Sequence, residues 1–230
     1  MRESLAHPAA TRRSVTGGTR ALTTRLAKRL LDLTLATICL LVVSPLLVAA
    51  AVAIRLDTPG PALFRQTRLG KYRRPFVLCK FRTMYTGCPD DVHREYVTKL
   101  LTEDQPPDGG RDGMFKLEQD ARITPVGRLL RRTSIDELPQ LINVIRGDMS
   151  LVGPRPALPW EAQMFDAVYF ERFIVPPGLT GLWQVSGRNS LTMKQGLELD
   201  IEYVRTQSTA RDLWILVKTI PVVLSTRGAL

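Results

Sequence analysis

The sequence predicts a mostly helical α/β chain with a few short strands, held at a membrane by one apolar segment near its N-terminus. Three observations carry this. Residues 33–54 contain no charged side chain, a run long enough at about 1.5 Å per residue to cross a hydrocarbon core of roughly 30 Å. Several later segments repeat apolar residues at helical spacing, as Val92, Tyr96 and Leu100 do. Only two short stretches, 62–66 and 76–81, read as extended.

At 230 residues the chain suffices for one compact domain with its own core. Its 32 Lys and Arg against 22 Asp and Glu leave a net charge of +10, which favours nucleic acid, acidic lipid headgroups or phosphorylated small molecules. Cys39, Cys79 and Cys88 form no CxxC pair, and His7 and His93 stand apart. That pattern excludes a zinc finger or a disulfide framework, argues against Cys-His and Ser-His hydrolases, and suits a reduced, cytoplasmic setting.

From the N-terminus, Arg2, Arg12, Arg13, Arg20 and Arg25 stand among small and polar residues, so 1–27 reads as a basic, disordered leader. The membrane segment is 28–56 and the remainder, 57–230, is the globular domain. Ser44 and Pro45 fall inside the apolar run. Proline removes a helix hydrogen bond, and a serine hydroxyl can satisfy the freed group, so a sharp bend is tolerable there. Basic residues flank both ends, Lys28 and Arg29 before and Arg55, Arg65 and Arg68 after, which draws both ends to the cytoplasmic side. The residues alone leave a re-entrant hairpin and a kinked single span equally open. Asp32 reads as a partner for Lys28 and Arg29 at the interface.

In the globular part, Pro59-Gly60-Pro61 is a turn, and 76–81 puts Val77, Cys79 and Phe81 on one face of a strand. The loop 105–113, with Pro-Pro and Gly-Gly pairs, is a candidate lid. Leu138, Leu141, Ile142 and Ile145 mark one helix ending at Gly147, and Trp160, Met164, Phe165 and Val168 another. Residues 213–224 are apolar but too short to span, and belong in the interface or core.

The chemistry concentrates at Asp136-Glu137. Pro139 suits a first helical turn, so this pair sits at the positive end of the helix. One reading is capping, since Ser134 with Glu137 matches the S-x-x-E box. The other rests on context: Arg122, Arg128, Arg131 and Arg132 precede the pair, and Arg146, Arg155 and Arg172 follow. A helix start surrounded by guanidiniums is a phosphate site by its electrostatics. Phosphoryl transfer uses such parts: arginines on developing charge, a carboxylate that attacks phosphorus, another that holds Mg²⁺.

These residues make a family recognisable. The run 133–156, TSIDELPQLINVIRGDMSLVGPRP, closely resembles the bacterial sugar transferases, or monotopic phosphoglycosyl transferases, in their small form. The likeness continues in Phe64-Arg65-Gln66, in KFRTM at 80–84, DARIT at 120–124 and PGLTGLWQVSGR at 177–188, and covers the chain from about Lys28 onward. It implies a monotopic enzyme of the bacterial inner membrane with its domain on the cytoplasmic face, a re-entrant helical hairpin broken at Ser44-Pro45, and amphipathic interfacial helices. It also implies transfer of a sugar phosphate from a UDP-sugar to undecaprenyl phosphate with release of UMP, at the first membrane step of exopolysaccharide, capsule, O-antigen or glycoprotein glycan synthesis. Mg²⁺ is the implied cofactor, with Asp136 as nucleophile and metal contact, Glu137 as metal ligand, and Arg131 on a phosphate. Arg155, Arg188, Lys80, Arg82 and Gln184 are the implied substrate contacts, each with a structural alternative, and Trp183 is either a core anchor or a stacking platform.

Membrane lipids are expected partners, nucleic acid is not, and a homo-oligomer stays open. Three competing readings remain: direct transfer in one ternary complex with both carboxylates on metal, transfer of the sugar without its phosphate and so with release of UDP, and a basic membrane-tethered binding protein in which the acidic pair only caps a helix.

Overall fold

The computed structural model describes residues 16–88, 91–102, 120–187 and 191–224. A long helix, α1 (Thr16–Asp57), leads into an antiparallel hairpin of β1 (Leu63–Leu69) and β2 (Pro75–Phe81). Then come α2 (Asp91–Thr102), α3 (Pro125–Arg132), a 3-10 turn (Ile135–Gln140) running into α4 (Leu141–Arg146), and β3 (Ser150–Val152). The chain continues through α5 (Pro159–Ala162), a 3-10 segment (Ala167–Ile174), β4 (Gly178–Thr180), α6 (Leu182–Val185), α7 (Met193–Thr206) and α8 (Thr209–Leu224). The molecule is thus mostly helical with short strands.

α1 takes in the whole apolar run together with residues 16–27 of the expected leader, whose residues 1–15 lie outside the described residues. Pro45 sits inside the helix, and the carbonyl that its missing N–H would serve is that of Leu41, four residues back. The Ser44 hydroxyl donates to this same Leu41 carbonyl at 2.8 Å. The pair thus supplies locally the bond that the proline removes.

One stripe of α1 packs on the domain: Ala36, Cys39, Leu40 and Val43 on one core cluster, then Leu47, Ala50, Ala51 and Ile54 on a second. The spacing is that of a single helix face. Leu41, Val42, Val48 and Leu56, 64–83% exposed, point away as a continuous apolar surface suited to lipid.

The apolar run of α1 is tied to the same body on both sides. Before it Lys28 pairs with Asp212 of α8 at 2.7 Å and donates to the Val152 carbonyl of β3 at 3.0 Å. Arg29 donates to the Val144 and Ile145 carbonyls at 2.6 and 2.8 Å, where a cation meets the negative end of α4. Asp32, expected to pair with these cations, instead accepts the Leu151 amide at 3.0 Å, because each cation is engaged elsewhere. Beyond the run Asp57 accepts the Val126 amide of α3 at 3.3 Å, and Arg82 donates to the carbonyls of Thr58 and Pro59.

The hairpin runs in register from Leu63↔Phe81 to Leu69↔Pro75, longer than the two stretches expected from the sequence. Asn143 of α4, fully buried, fastens its edge: the side chain accepts the Cys79 amide at 3.1 Å and donates to the Val77 carbonyl at 2.8 Å. β3 and β4 pair in parallel, Ser150↔Gly178 and Val152↔Thr180. Their ends cross so closely that a Cβ on Gly178 would lie 2.1 Å from the Gly153 amide nitrogen, which is why glycines stand at both places.

Two helix expectations change. The stretch from Trp160 to Val168 is two elements, since α5 ends at Ala162 and Asp166 is extended with φ −61° and ψ 154°. The expected S-x-x-E box does not form: Ser134 is left-handed, φ 56°, and its side chain makes no cap hydrogen bond. α8 buries Ile215 and exposes Leu213, Trp214, Val217 and Ile220, an amphipathic helix along the surface.

Candidate active site

A cleft of about 390 Å³ opens where the hairpin, the 3-10 turn, the β3 and β4 ends and α8 converge. Its lining combines two chemistries: Arg68, Lys80, Glu137, Arg155 and Gln184 are polar, while Leu179, Val185, Leu216, Val222 and Val223 are apolar.

Each polar side chain is positioned by its element. Arg68 and Lys80 lie on one face of the hairpin, because Arg68↔Phe76 and Phe64↔Lys80 are paired positions an even number of residues apart. Lys80 also stands 5.1 Å above the Phe64 ring. Asp136 and Glu137 occupy the first turn of the 3-10 segment, whose entry the left-handed Ser134 redirects. Arg155 follows the Gly153 crossing, and its carbonyl accepts from Arg172 at 2.6 Å. Arg172 in turn pairs with the fully buried Asp200 at 2.6 Å, whose carboxyl burial raises to about 6 against the pull of Arg172 and Arg155.

Asp136 is within electrostatic reach of Arg131 and Lys80. Burial lowers the Arg131 pKa, and Asp136 and Asp120 pull it back up. The Arg131 Nε donates to Thr83 at 2.9 Å, which aims the guanidinium. Asp120 is gripped by Arg122 at 2.7 to 3.1 Å, and those hydrogen bonds hold its carboxyl below the usual range.

Lys80 is pushed down to about 8, first by burial and then by Arg68 and Arg131, against Asp136 and Glu137. A lowered lysine pKa means that the ammonium is lost as pH rises through that value. Affinity for any anion held at Lys80 is therefore expected to fall above about pH 8 in wild type, and Lys80→Arg, charged throughout, to flatten that limb in a binding titration against pH.

Of the residues anticipated from sequence, Asp136, Glu137, Arg131, Lys80, Arg155 and Gln184 come together around this cleft. Arg82 does not: β2 ends at Phe81, alternation lapses, and its guanidinium caps the carbonyls of Ile54, Thr58 and Pro59 at the end of α1. Arg188 and the 105–113 loop lie outside the described residues. Trp183 lines the cleft from the core, packed so tightly on α7 that a Cβ on Gly196 would lie 2.1 Å from its ring. Arg68 was read only as a flanking charge; its face-sharing with Lys80 depends on a hairpin register that sequence does not print.

For a metal, Asp136 and Glu137 offer adjacent hard oxygen donors, and among the described residues no three His, Cys, Asp or Glu side chains converge. That donor set fits Mg²⁺, which takes one or two carboxylates and completes its shell with water and substrate phosphates.

The model of the bacterial sugar transferases matches residues 23–226, a span that begins within α1, ahead of the apolar run, and takes in α8. The chain belongs to the bacterial sugar transferase family. Among curated members of that family, the UDP-glucose:undecaprenyl-phosphate glucose-1-phosphate transferase of Caulobacter vibrioides is 44% identical over 212 residues, 89% of this chain and 72% of that protein. The exopolysaccharide production protein ExoY of Rhizobium meliloti is 39% identical, over 89% of this chain and 88% of its own. The undecaprenyl-phosphate galactose phosphotransferase of Salmonella typhimurium is 40% identical over 89% of this chain but only 42% of its own length. The transferase match thus takes in every element that lines the cleft.

Proposed function

We propose that this chain is an undecaprenyl-phosphate sugar phosphotransferase: it moves a sugar phosphate from a UDP-sugar to undecaprenyl phosphate and releases UMP, an early step in exopolysaccharide or related glycan synthesis. The observation that carries the reading is the cleft itself. Its lining joins the cations Arg68, Lys80 and Arg155 with Glu137, Asp136 being within electrostatic reach of Lys80, as a diphosphate requires, to apolar side chains of α8, as a lipid chain requires. The relatives named for glucose and galactose transfer align over the same span.

In this reading an Asp136 carboxylate oxygen attacks the phosphorus that bears the sugar. The bond from that phosphorus to the bridging oxygen breaks, and UMP leaves with the electron pair. A phosphate oxygen of the lipid then attacks the same phosphorus, the aspartyl bond breaks, and a polyprenyl diphosphate sugar results. Lys80, Arg131 and Arg155 balance the phosphate charge, and Glu137 with Asp136 would hold Mg²⁺, which would supply positive charge to phosphate oxygens. Incubation with UDP-sugar and no lipid, followed by peptide mass spectrometry, is expected to find a phospho-sugar on Asp136. An unmodified Asp136 in a protein that turns over once lipid is added points to direct transfer instead.

The apolar run of α1 is read as re-entrant, with both its sides on the cytoplasmic face of the inner membrane. The support is that Lys28 and Arg29 before the run, and Asp57 and Thr58 after it, bond to one globular body, which cannot lie on both sides of a bilayer. Single cysteines placed before Lys28 and after Thr58 should both label from the cytoplasmic side only; labelling of either from the opposite side rejects the hairpin.

A further inference from the structure

We propose that Arg68 is a phosphate-binding residue of this cleft, gripping a phosphate of one of the two substrates; the inference rests on the transferase reading above. Arg68 is only 8% exposed, yet it lines the cleft beside Lys80 and Arg155. Those three cations outnumber the one carboxylate, Glu137, among the described lining residues, so the lining of the cleft is net positive. Burying a guanidinium without full compensation is costly unless an anion arrives to pair with it.

The guanidinium is also fixed in advance. Nη1 donates to the Pro156 carbonyl at 3.1 Å and Nη2 to Gln66 Oε1 at 2.7 Å, while buried Nε has no partner. Five N–H donors on one guanidinium leave the terminal nitrogens with hydrogens to spare after these two bonds. The carboxylate nearest to it, Glu161, stands at 4.0 Å and is committed to the Leu158 amide at 2.7 Å. At that distance Glu161 forms an ion pair with Arg68 but no hydrogen bond, which leaves guanidinium N–H groups for a phosphate. Burial lowers the Arg68 pKa to about 10, Glu161 opposing and Arg155 adding to the effect, so the group stays cationic at neutral pH and gains from any anion. A neutral side chain would brace the Pro156 carbonyl as well; what needs explaining is the charge.

The test is equilibrium binding to the full chain in nanodiscs, in two arms: UMP against uridine, and undecaprenyl phosphate against undecaprenol. In one arm Arg68→Gln is expected to weaken the phosphorylated ligand roughly 10- to 100-fold while its phosphate-free counterpart binds as in wild type. The arm that responds tells whether the phosphate is the nucleotide's or the lipid's. Arg68→Lys, which keeps the charge but not the fork, should recover part of the loss. Equal weakening of both members of each pair would reduce Arg68 to a brace for Pro156, and no weakening in either arm would also overturn the assignment. If wild type itself prefers neither phosphorylated ligand, the transferase reading fails with it; if wild type prefers them and Arg68→Gln does too, only this inference fails.

Discussion

Asp136→Asn is expected to abolish turnover, by on the order of 10⁴-fold or more, while leaving the fold intact. Asparagine has the shape of aspartate without a carboxylate oxygen to attack phosphorus, and it withdraws one negative charge from a site already rich in Arg131 and Lys80. Binding of the UDP-sugar should survive or tighten, since the diphosphate loses a repulsive neighbour. The observable is a drop in kcat without a matching rise in KM, together with loss of the phospho-sugar adduct. Full activity in Asp136→Asn would remove the nucleophile from the account, whatever the product.

Gly178→Ala is expected to be the most damaging small substitution for stability, at about 3 kcal/mol or more. The added Cβ would meet the Gly153 nitrogen at 2.1 Å, the Thr180 carbonyl oxygen at 2.3 Å and the Gly153 carbonyl oxygen at 2.6 Å. All three are backbone atoms, of Thr180 in β4 and of Gly153 just after β3, so no side-chain rotation relieves the clash. Because Arg155 stands two residues beyond Gly153, activity should fall together with the melting temperature, which drops by roughly 6 to 12 °C for a chain of this size. A melting curve within about a degree of wild type would show that the crossing is looser than described.

Local signals in the sequence reach a good part of this molecule. The apolar run, the β2 alternation and the acidic pair at a helix start are all readable from neighbours within a few residues, and each has its counterpart in α1, β2 and the 3-10 turn, whereas at Ser44-Pro45 α1 runs on as one helix from Thr16 to Asp57. What sequence misses is set by contacts between distant residues. Asp32 looked like a partner for Lys28 and Arg29, yet it caps a strand 119 residues away. Ser134 and Glu137 spell a capping box, but the left-handed turn at Ser134 rules it out. β3 and β4 are three residues each and pair only because α1, α4 and α8 hold them together, so no periodicity announces them. Arg82 and Arg68 exchange roles for the same reason. One falls past the end of a strand and closes α1, and the other reaches the cleft through a cross-strand register.

The most direct measurement is the nucleotide released when the purified protein, in nanodiscs with Mg²⁺, is given undecaprenyl phosphate and a panel of UDP-sugars. The account predicts UMP, formed only when lipid and metal are both present and from a restricted set of sugars. UDP as the product would mean that the sugar moves without its phosphate, and no nucleotide from any donor with a well-folded protein would contradict the transferase assignment altogether.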